Sequence, residues 1–262
     1  MHRQTSASMS LTADGPARLV LSVAVQGDGV DEVLEVRQGG ELLPVREVDD
    51  PHGARLHLVD VEAGDVSVDY RATVEGRTEP TVVSEADEVV YLRPSRYCES
   101  DSLSFIARRE FRGLSGDELL FGVSSWVGDR LSYVPGSSLP TDGAVRTFLA
   151  GQGVCRDYAH LTVALLRALD VPARLASVYA PGLSPMDFHA VAEAAIDGRW
   201  CVVDATTLAP RSTLLRIATG RDASDTAFLS VRGAPVALAE LTVSAVADLL
   251  PDDDPTQLVQ LS

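Results

Sequence analysis

The chain has 262 residues, of which 45% are hydrophobic, so it can bury the apolar core of one large domain or of two modest ones. Its formal net charge is −16, from 22 Lys and Arg against 38 Asp and Glu. This excess of negative charge argues against nucleic acid or an anionic membrane as a partner.

The N-terminal third carries the pattern of a β domain. Residues 1–16 are polar and predict a loose N-terminus. From about residue 17 to 83, short alternating runs are separated by turn residues, and residues 66–74 give the clearest strand. Several short strands at this spacing predict an antiparallel sandwich or barrel, and we assign residues 1–90 to a β-rich N-terminal domain.

The pattern becomes helical in residues 91–262, which we assign to a second domain. Apolar residues three and four apart predict helices over 103–111, from about 115 to 131 and over 144–149. Residues 175–179 and 238–246 predict strands. The acidic stretch 251–255 predicts a solvated tail. We expect Glu193 to be a charge at a sheet edge, and the other charged residues of this region to form ordinary surface ion pairs: Arg211, Arg216, Arg221 and Asp222.

The second domain contains a glycine-rich loop that leads directly into a strongly apolar helix beginning at Cys155. A thiol at a helix N-terminus suits a nucleophile, because the unpaired N–H groups and the helix dipole stabilise a thiolate. Gly151 and Gly153 leave room for a substrate backbone. The alternative is a small buried cysteine that begins a core helix, which is the commoner role of a lone cysteine.

The sequence 189–204 predicts a tight hairpin that brings a histidine and an aspartate together. Asp197-Gly198 between two apolar runs is typical of a two-residue turn. In that register Ile196 faces Arg199, and His189 and Asp204 become diagonal neighbours on one face, about 7 Å apart at the backbone. An aspartate can orient an imidazole across that gap, unless a bulge changes the register.

Cys155, His189 and Asp204 therefore make a candidate set of nucleophile, base and base-orienting residue. The alternative is that the three residues never meet. A metal site from Cys155, His160 and His189 is a competing chemistry, but its spacing matches no usual ligand pattern. The three residues therefore favour catalysis by a thiol nucleophile over a metal site.

Several stretches of the C-terminal half resemble the bacterial transglutaminase-like superfamily of cysteine peptidases. The motifs are Gly153-Val154-Cys155-Arg156-Asp157-Tyr158-Ala159, Leu166-Arg167-Ala168-Leu169, Val171-Pro172-Ala173-Arg174, His189-Ala190, and Trp200 with Val203-Asp204-Ala205-Thr206. The resemblance covers residues 97–228 and keeps the family's order of cysteine, histidine and aspartate. It implies a papain-like α+β core, in which the cysteine-bearing helix packs on an antiparallel sheet that carries the other two residues. Many bacterial members also have a β-rich N-terminal region.

Two residues depart from the family pattern. Val191 stands where the family usually has tryptophan, and Ala205 where it often has proline. The smaller Val191 leaves the substrate preference open. Tyr133 resembles an aromatic that family members place upstream of the cysteine, which makes it a candidate substrate-binding residue; a half-buried tyrosine at a helix end is the alternative. The backbone N–H of Cys155 is the candidate oxyanion donor.

The cysteines and the apolar runs bear on where the protein works. Cys98, Cys155 and Cys201 form a sparse, odd set without a CxxC pair, which fits a reducing compartment better than a disulfide framework. No apolar run has the length of a bilayer span, and the stretch 19–25 is better interpreted as a strand than as a secretion signal. Together with the resemblance, these observations lead us to expect a cytoplasmic, thiol-dependent amide hydrolase that acts on a peptide or protein, with no metal and no cofactor. Acyl transfer to amines and a non-catalytic binding module on the same fold are the alternative functions.

Overall fold

The computed structural model describes residues 1–27, 29–77 and 80–261, and these form an α+β fold. Strands come first: β1 (His2–Ala13), β2 (Ala17–Leu21), β3 (Asp31–Gln38), β4 (Glu41–Leu42), β5 (Arg46–Asp49), β6 (Arg55–Val61) and β7 (Gly64–Glu75). Helices with two short strands follow: α1 (Glu85–Val90), α2 (Ser100–Glu110), α3 (Gly116–Arg130), β8 (Ser132–Tyr133), α4 (Ala144–Ala150), β9 (Gln152–Gly153) and α5 (Cys155–Ala168). The chain then forms β10 (Ala173–Tyr179), β11 (His189–Ile196), β12 (Arg199–Val203), a 3₁₀ turn (Arg211–Thr213), β13 (Leu215–Gly220), β14 (Leu229–Gly233) and β15 (Val236–Ala247). The predicted fold class, with its β-rich N-terminal part, is confirmed.

The prediction of a loose N-terminus is wrong, because residues 2–13 form the long strand β1. Its side chains alternate strictly between buried and outward positions from Arg3 to Ala13. β1 pairs with β7 along one edge and with β15, from the far end of the chain, along the other. The outward positions are polar, and two of the inward ones are Arg3 and Thr5. The alternation of apolar and polar residues was therefore too weak to predict this strand from the sequence.

Two antiparallel sheets form the β-rich part, with the strand orders β15-β1-β7-β3-β4 and β14-β2-β6-β5. Their inward side chains, among them Leu19, Val68 and Tyr70, share one apolar core. The strand predicted at 238–246 is confirmed within β15. Because β14 and β15 complete these sheets, the last strands of the chain lie with the N-terminal part, and the division at residue 90 stays a prediction.

Helix α5 is the centre of the other part. Every residue from Asp157 to Ala168 is buried, because α2, α3 and α4 surround the helix on one side and the sheet β12-β11-β10-β13 covers the other. Small residues on the sheet, Ala192 and Ala194, share an apolar cluster with Leu161 and Leu165 of the helix. The apolar run from Leu161 to Leu166, interrupted only by Thr162, fits this enclosure. The enclosure holds the N-terminus of α5 in a fixed position relative to the sheet.

The acidic stretch predicted as a solvated tail is exposed but attached. Its Asp253 carboxylate binds Arg211, which is only 6% exposed and is therefore not the surface residue that was expected. Further along, the carbonyl of Val259 accepts a hydrogen bond from the N–H of Val202 in β12. Leu261 is 1% exposed. The end of the chain is thus folded back onto the sheet that carries β11 and β12.

No helix within the described residues has both the length and the apolar character needed to cross a bilayer.

Candidate active site

Cys155 is the first residue of α5 and is partly exposed. The loop before it is held by Asp157, whose Oδ2 accepts the N–H of Val154 at 2.8 Å. A side chain at Gly153 would place its Cβ 2.6 Å from the Cβ of Asp157, which is closer than real Cβ contacts. The glycine is therefore required for the aspartate to close this loop under the thiol.

Asp157 also ties a second loop to the start of α5. Its side chain is fully buried, and its Oδ1 accepts hydrogen bonds from the hydroxyl of Ser138 at 2.9 Å and from Arg156 at 3.1 Å. Asp157 was not among the predicted site residues. The available signal was its place in the first turn of a helix, where a carboxylate favourably binds free backbone N–H groups.

His189 begins β11, and the predicted hairpin register is confirmed. Ile196 pairs with Arg199, and Ala192 with Val203. Asp197 and Gly198 turn the chain with φ values of 50° and 72°, as a two-residue hairpin requires. His189 is 1% exposed. In this register, Asp204 directly follows the last residue of β12 and lies beside His189.

The histidine and aspartate are in contact. His189 Nε2 lies 3.1 Å from Asp204 Oδ2. The other oxygen, Oδ1, accepts hydrogen bonds from both the N–H and the hydroxyl of Thr206, at 2.8 and 2.7 Å. Thr206 had no predicted role, although a residue two positions after an aspartate is the usual partner in such a turn. The two hydrogen bonds from Thr206 thus fix the orientation of the Asp204 carboxylate, so that its other oxygen faces the imidazole.

From α3, two further contacts hold the backbone around Asp204. The hydroxyl of Ser124 donates to the Asp204 carbonyl at 3.2 Å. A Cβ at Gly128 would lie 3.0 Å from the carbonyl oxygen of Ala205, which is a tight contact, so glycine at this position favours the close approach of the helix.

The electrostatics of the site favour a protonated His189. Burial by itself lowers the pKa of His189, but the charge and hydrogen bond of Asp204 and the adjacent Cys155 thiol raise it to about 10. Burial raises the pKa of Asp204, whereas the charge of His189 and the hydrogen bonds from His189 and Thr206 lower it below its usual range. His189 Nδ1 has no hydrogen-bond partner among the described residues. The imidazole of His189 thus binds Asp204 through one nitrogen and has the Cys155 side chain as a further neighbour.

Tyr133 lies beside the thiol, at the point where β8 pairs with β9. Burial and the neighbouring Cys155 sulfur raise the pKa of the Tyr133 hydroxyl to about 12. Its ring is 5.9 Å from that of Tyr158, and the residue is 41% exposed. Tyr133 is thus a partly exposed aromatic side chain beside the thiol.

His160, the third residue of the competing metal set, is engaged elsewhere. Its ring stacks on Tyr97, with centroids 5.3 Å apart, and its Nε2 accepts the N–H of Ala223 at 3.1 Å. Within the described residues, no group of three or more His, Cys, Asp or Glu is placed to hold a metal ion.

The environments of the three thiols predict selective labelling of the native protein by iodoacetamide. Burial raises the pKa of Cys98 to about 12 and also raises the pKa of Cys201, whereas Cys155 is partly exposed and adjoins His189. We expect Cys155 to be alkylated at about pH 6, well before the other two. Peptide mass mapping after short exposures measures this order. Equal labelling of all three, or labelling of Cys155 only above about pH 8.5, would contradict the expectation.

The chain is similar to several known proteins. The family model described as transglutaminase-like superfamily matches residues 116–205. The crystal structure of a "putative cysteine protease" from Cytophaga hutchinsonii is 31% identical, with a TM-score of 0.88, over 99% of this chain and 96% of that one. The periplasmic domain of TgpA from Pseudomonas aeruginosa is 17% identical, with a TM-score of 0.42, over 76% of this chain and 91% of that one.

A curated relative matches a smaller segment. The uncharacterized protein ML0607 of Mycobacterium leprae is 27% identical over 99 residues, which are 37% of this chain and 35% of the relative. The match thus spans about a third of the length of that relative.

Proposed function

The chain belongs to the transglutaminase-like superfamily, and from this membership we propose that it is a thiol-dependent amide hydrolase with Cys155, His189 and Asp204 as its catalytic triad. One observation supports the proposal above all. His189 is bound through Nε2 by Asp204, while its Nδ1 is left without a partner among the described residues, next to the Cys155 thiol. This is the arrangement that a base needs in order to activate a nucleophile.

In the mechanism we propose, the Cys155 thiol gives its proton to His189 Nδ1 and the sulfur attacks the carbonyl carbon of an amide. The backbone N–H of Cys155 binds the oxyanion that develops. His189 then returns the proton to the amide nitrogen, the C–N bond breaks, and an amine leaves behind a thioester. A water molecule gives a proton to the imidazole and attacks the thioester, which releases the acid and restores the thiol. Asp204 accepts a hydrogen bond from His189 Nε2 throughout, which keeps Nδ1 available.

The proposed substrate is a peptide or protein amide that enters beside Tyr133. The exposed part of this side chain gives an apolar surface for the substrate near the nucleophile. The net charge of −16 opposes binding to nucleic acid or anionic lipid, which we do not expect as partners. We further propose a cytoplasmic location, because Cys98, Cys155 and Cys201 are all free thiols.

We propose hydrolysis in preference to acyl transfer, because transfer to an amine requires that water be kept from the thioester. The family's tryptophan position beside the histidine holds Val191. The two tryptophans of the chain pack elsewhere: Trp200 is 1% exposed beneath Arg174, and Trp126 stacks on Phe148. Neither tryptophan therefore serves to keep water from a thioester at Cys155.

The experiment is a mass measurement on glutamine-bearing and peptide substrates in the presence of excess primary amine. We expect acids or cleaved peptides as the main products, and none with Cys155→Ala. Amine adducts as the main product would show a transferase instead. If neither product forms across a broad peptide library, while Cys155 shows no unusual reactivity, the chain is a binding module on this fold.

A further inference from the structure

The strand that carries Asp204 lies at the edge of its sheet, and its outer side is covered by the end of the chain. In the order β12-β11-β10-β13, and within the part of the chain that the structure describes, β12 has a strand neighbour only on one side; an isolated bridge joins Arg199 at its start to Val82. Near its end, the N–H of Val202 donates to the carbonyl of Val259 at 2.7 Å. Val202 is two residues before Asp204. The backbone that leads into the aspartate is therefore bound from outside by a residue near the C-terminus.

Arg211 joins the same segment to Val202 a second time. Its Nη1 donates to the Val202 carbonyl at 3.4 Å, and its Nε and Nη2 bind the two oxygens of the Asp253 carboxylate at 2.9 and 3.1 Å. The backbone N–H of Arg211 also donates to Asp253, and Nη2 donates to the carbonyl of Asp254 at 2.6 Å. A two-pronged pair of this kind restricts the guanidinium to one orientation. Both backbone polar groups of Val202 thus depend on the C-terminal segment or on the arginine that it holds.

Leu261 adds an apolar anchor. It is 1% exposed and belongs to the same apolar cluster as Val178, Val191 and Val202. Val191 is the residue that replaces the tryptophan of the family pattern. Because protein interiors are close-packed, a smaller residue at this position requires other side chains to fill the volume. Leu261 is one of the side chains that do so, from the end of the chain.

We propose that the C-terminal segment 251–261 is a positioning element of the active site, and that Asp253 is its positioning residue. Asp253 holds Arg211, Arg211 and Val259 hold Val202, and Val202 sets where Asp204 meets His189. The catalytic meaning of this chain of contacts rests on the proposed function. The alignment of Asp204 on His189, by contrast, can be measured without any substrate.

The test measures the rate of Cys155 alkylation by iodoacetamide from about pH 5 to pH 11, in the full chain, for the unchanged protein, Asp253→Asn and Asp252→Asn. Asp252 is exposed and adjacent, so it is the matched control. With Asp204 displaced, His189 holds its proton less well and less thiolate is present at acid pH. Without the Asp204 contact, burial lowers the pKa of His189 below its ordinary value. We expect Asp253→Asn to lower the rate at about pH 6 by about tenfold, the effect of a His189 pKa that falls about one unit below that pH, and to leave the rate near pH 11 unchanged. Asp252→Asn should match the unchanged protein.

A second variant covers the case in which Asp253→Asn does not fold. Leu261→Ala keeps every charge and removes only the apolar anchor, and it should lower the rate at pH 6 in the same direction. If folded Asp253→Asn, or Leu261→Ala in its absence, keeps the rate of the unchanged protein at pH 6, the C-terminal segment does not position Asp204. If the rate falls as expected but no amide substrate is found, the positioning role stands and the proposed hydrolase function fails. With a substrate in hand, kcat should fall while KM stays the same.

Discussion

Asp204→Asn should lower turnover by about 10²- to 10⁴-fold while the protein stays folded. Turnover should fall because Thr206 fixes the orientation of residue 204 by donating two hydrogen bonds to Oδ1 of Asp204. In the variant the amide oxygen has to take that position, so the amide NH₂ faces His189 Nε2. The imidazole then carries its own proton on Nδ1 and cannot accept one from Cys155. Steady-state kinetics on any substrate found in the mass assay, with circular dichroism to verify folding, measures the effect.

The matched control for this variant is Asp222→Asn. Asp222 is also fully buried and also accepts hydrogen bonds from the residue two positions later, Ser224, and from the N–H of Tyr97. The Asp222→Asn variant should be less stable than the unchanged protein without a comparable loss of turnover. If Asp204→Asn keeps the rate of the unchanged enzyme, Asp204 does not set the tautomer of His189, and the triad is wrong in its third member.

Glu193→Gln should destabilise the fold by about 3–5 kcal/mol, the usual cost of removing one partner from a buried ion pair. The prediction that Glu193 lies at a sheet edge is wrong, because β11 is an inner strand of its sheet and the Glu193 side chain is 0% exposed. The carboxylate binds Arg174 at 2.8 Å and also binds Arg216, whose side chain is 9% exposed. Glutamine would leave two guanidinium groups buried without a counter-charge. Denaturant unfolding at neutral pH measures the loss.

The loss of stability caused by Glu193→Gln should depend on pH. Burial raises the pKa of Glu193, but the charges of Arg174 and Arg216 hold it below its ordinary value of 4.5. A lowered pKa in the folded state contributes stability above the unfolded value and loses it as the pH falls. The difference between Glu193→Gln and the unchanged protein should therefore shrink below about pH 4. Glu110→Gln, at an exposed pair with Arg109, is the control and should change little. An equal loss in both variants would contradict a buried network.

Local patterns in the sequence were sufficient for the parts of the site that lie close together along the chain. The glycine-rich loop before an apolar run placed Cys155 at a helix N-terminus, because helix starts are set by the adjacent residues. Asp197-Gly198 set the register of the hairpin, and with it the approach of His189 to Asp204, because the side-chain period of a strand is two and the turn length fixes which residues face each other.

Contacts between distant parts of the chain were decided only in the tertiary structure. β1 is a strand because it pairs with β7 and β15, and Arg3 faces Ala247, 244 positions later. Asp253 and Leu261 are attached because Arg211 and the cluster around Val191 lie under them. Such contacts leave no periodic signal, since each depends on the arrangement of elements that are far apart in sequence. Neighbouring residues along the chain were therefore enough to predict that His189 and Asp204 meet, whereas the contacts that hold them there depend on residues far away in sequence.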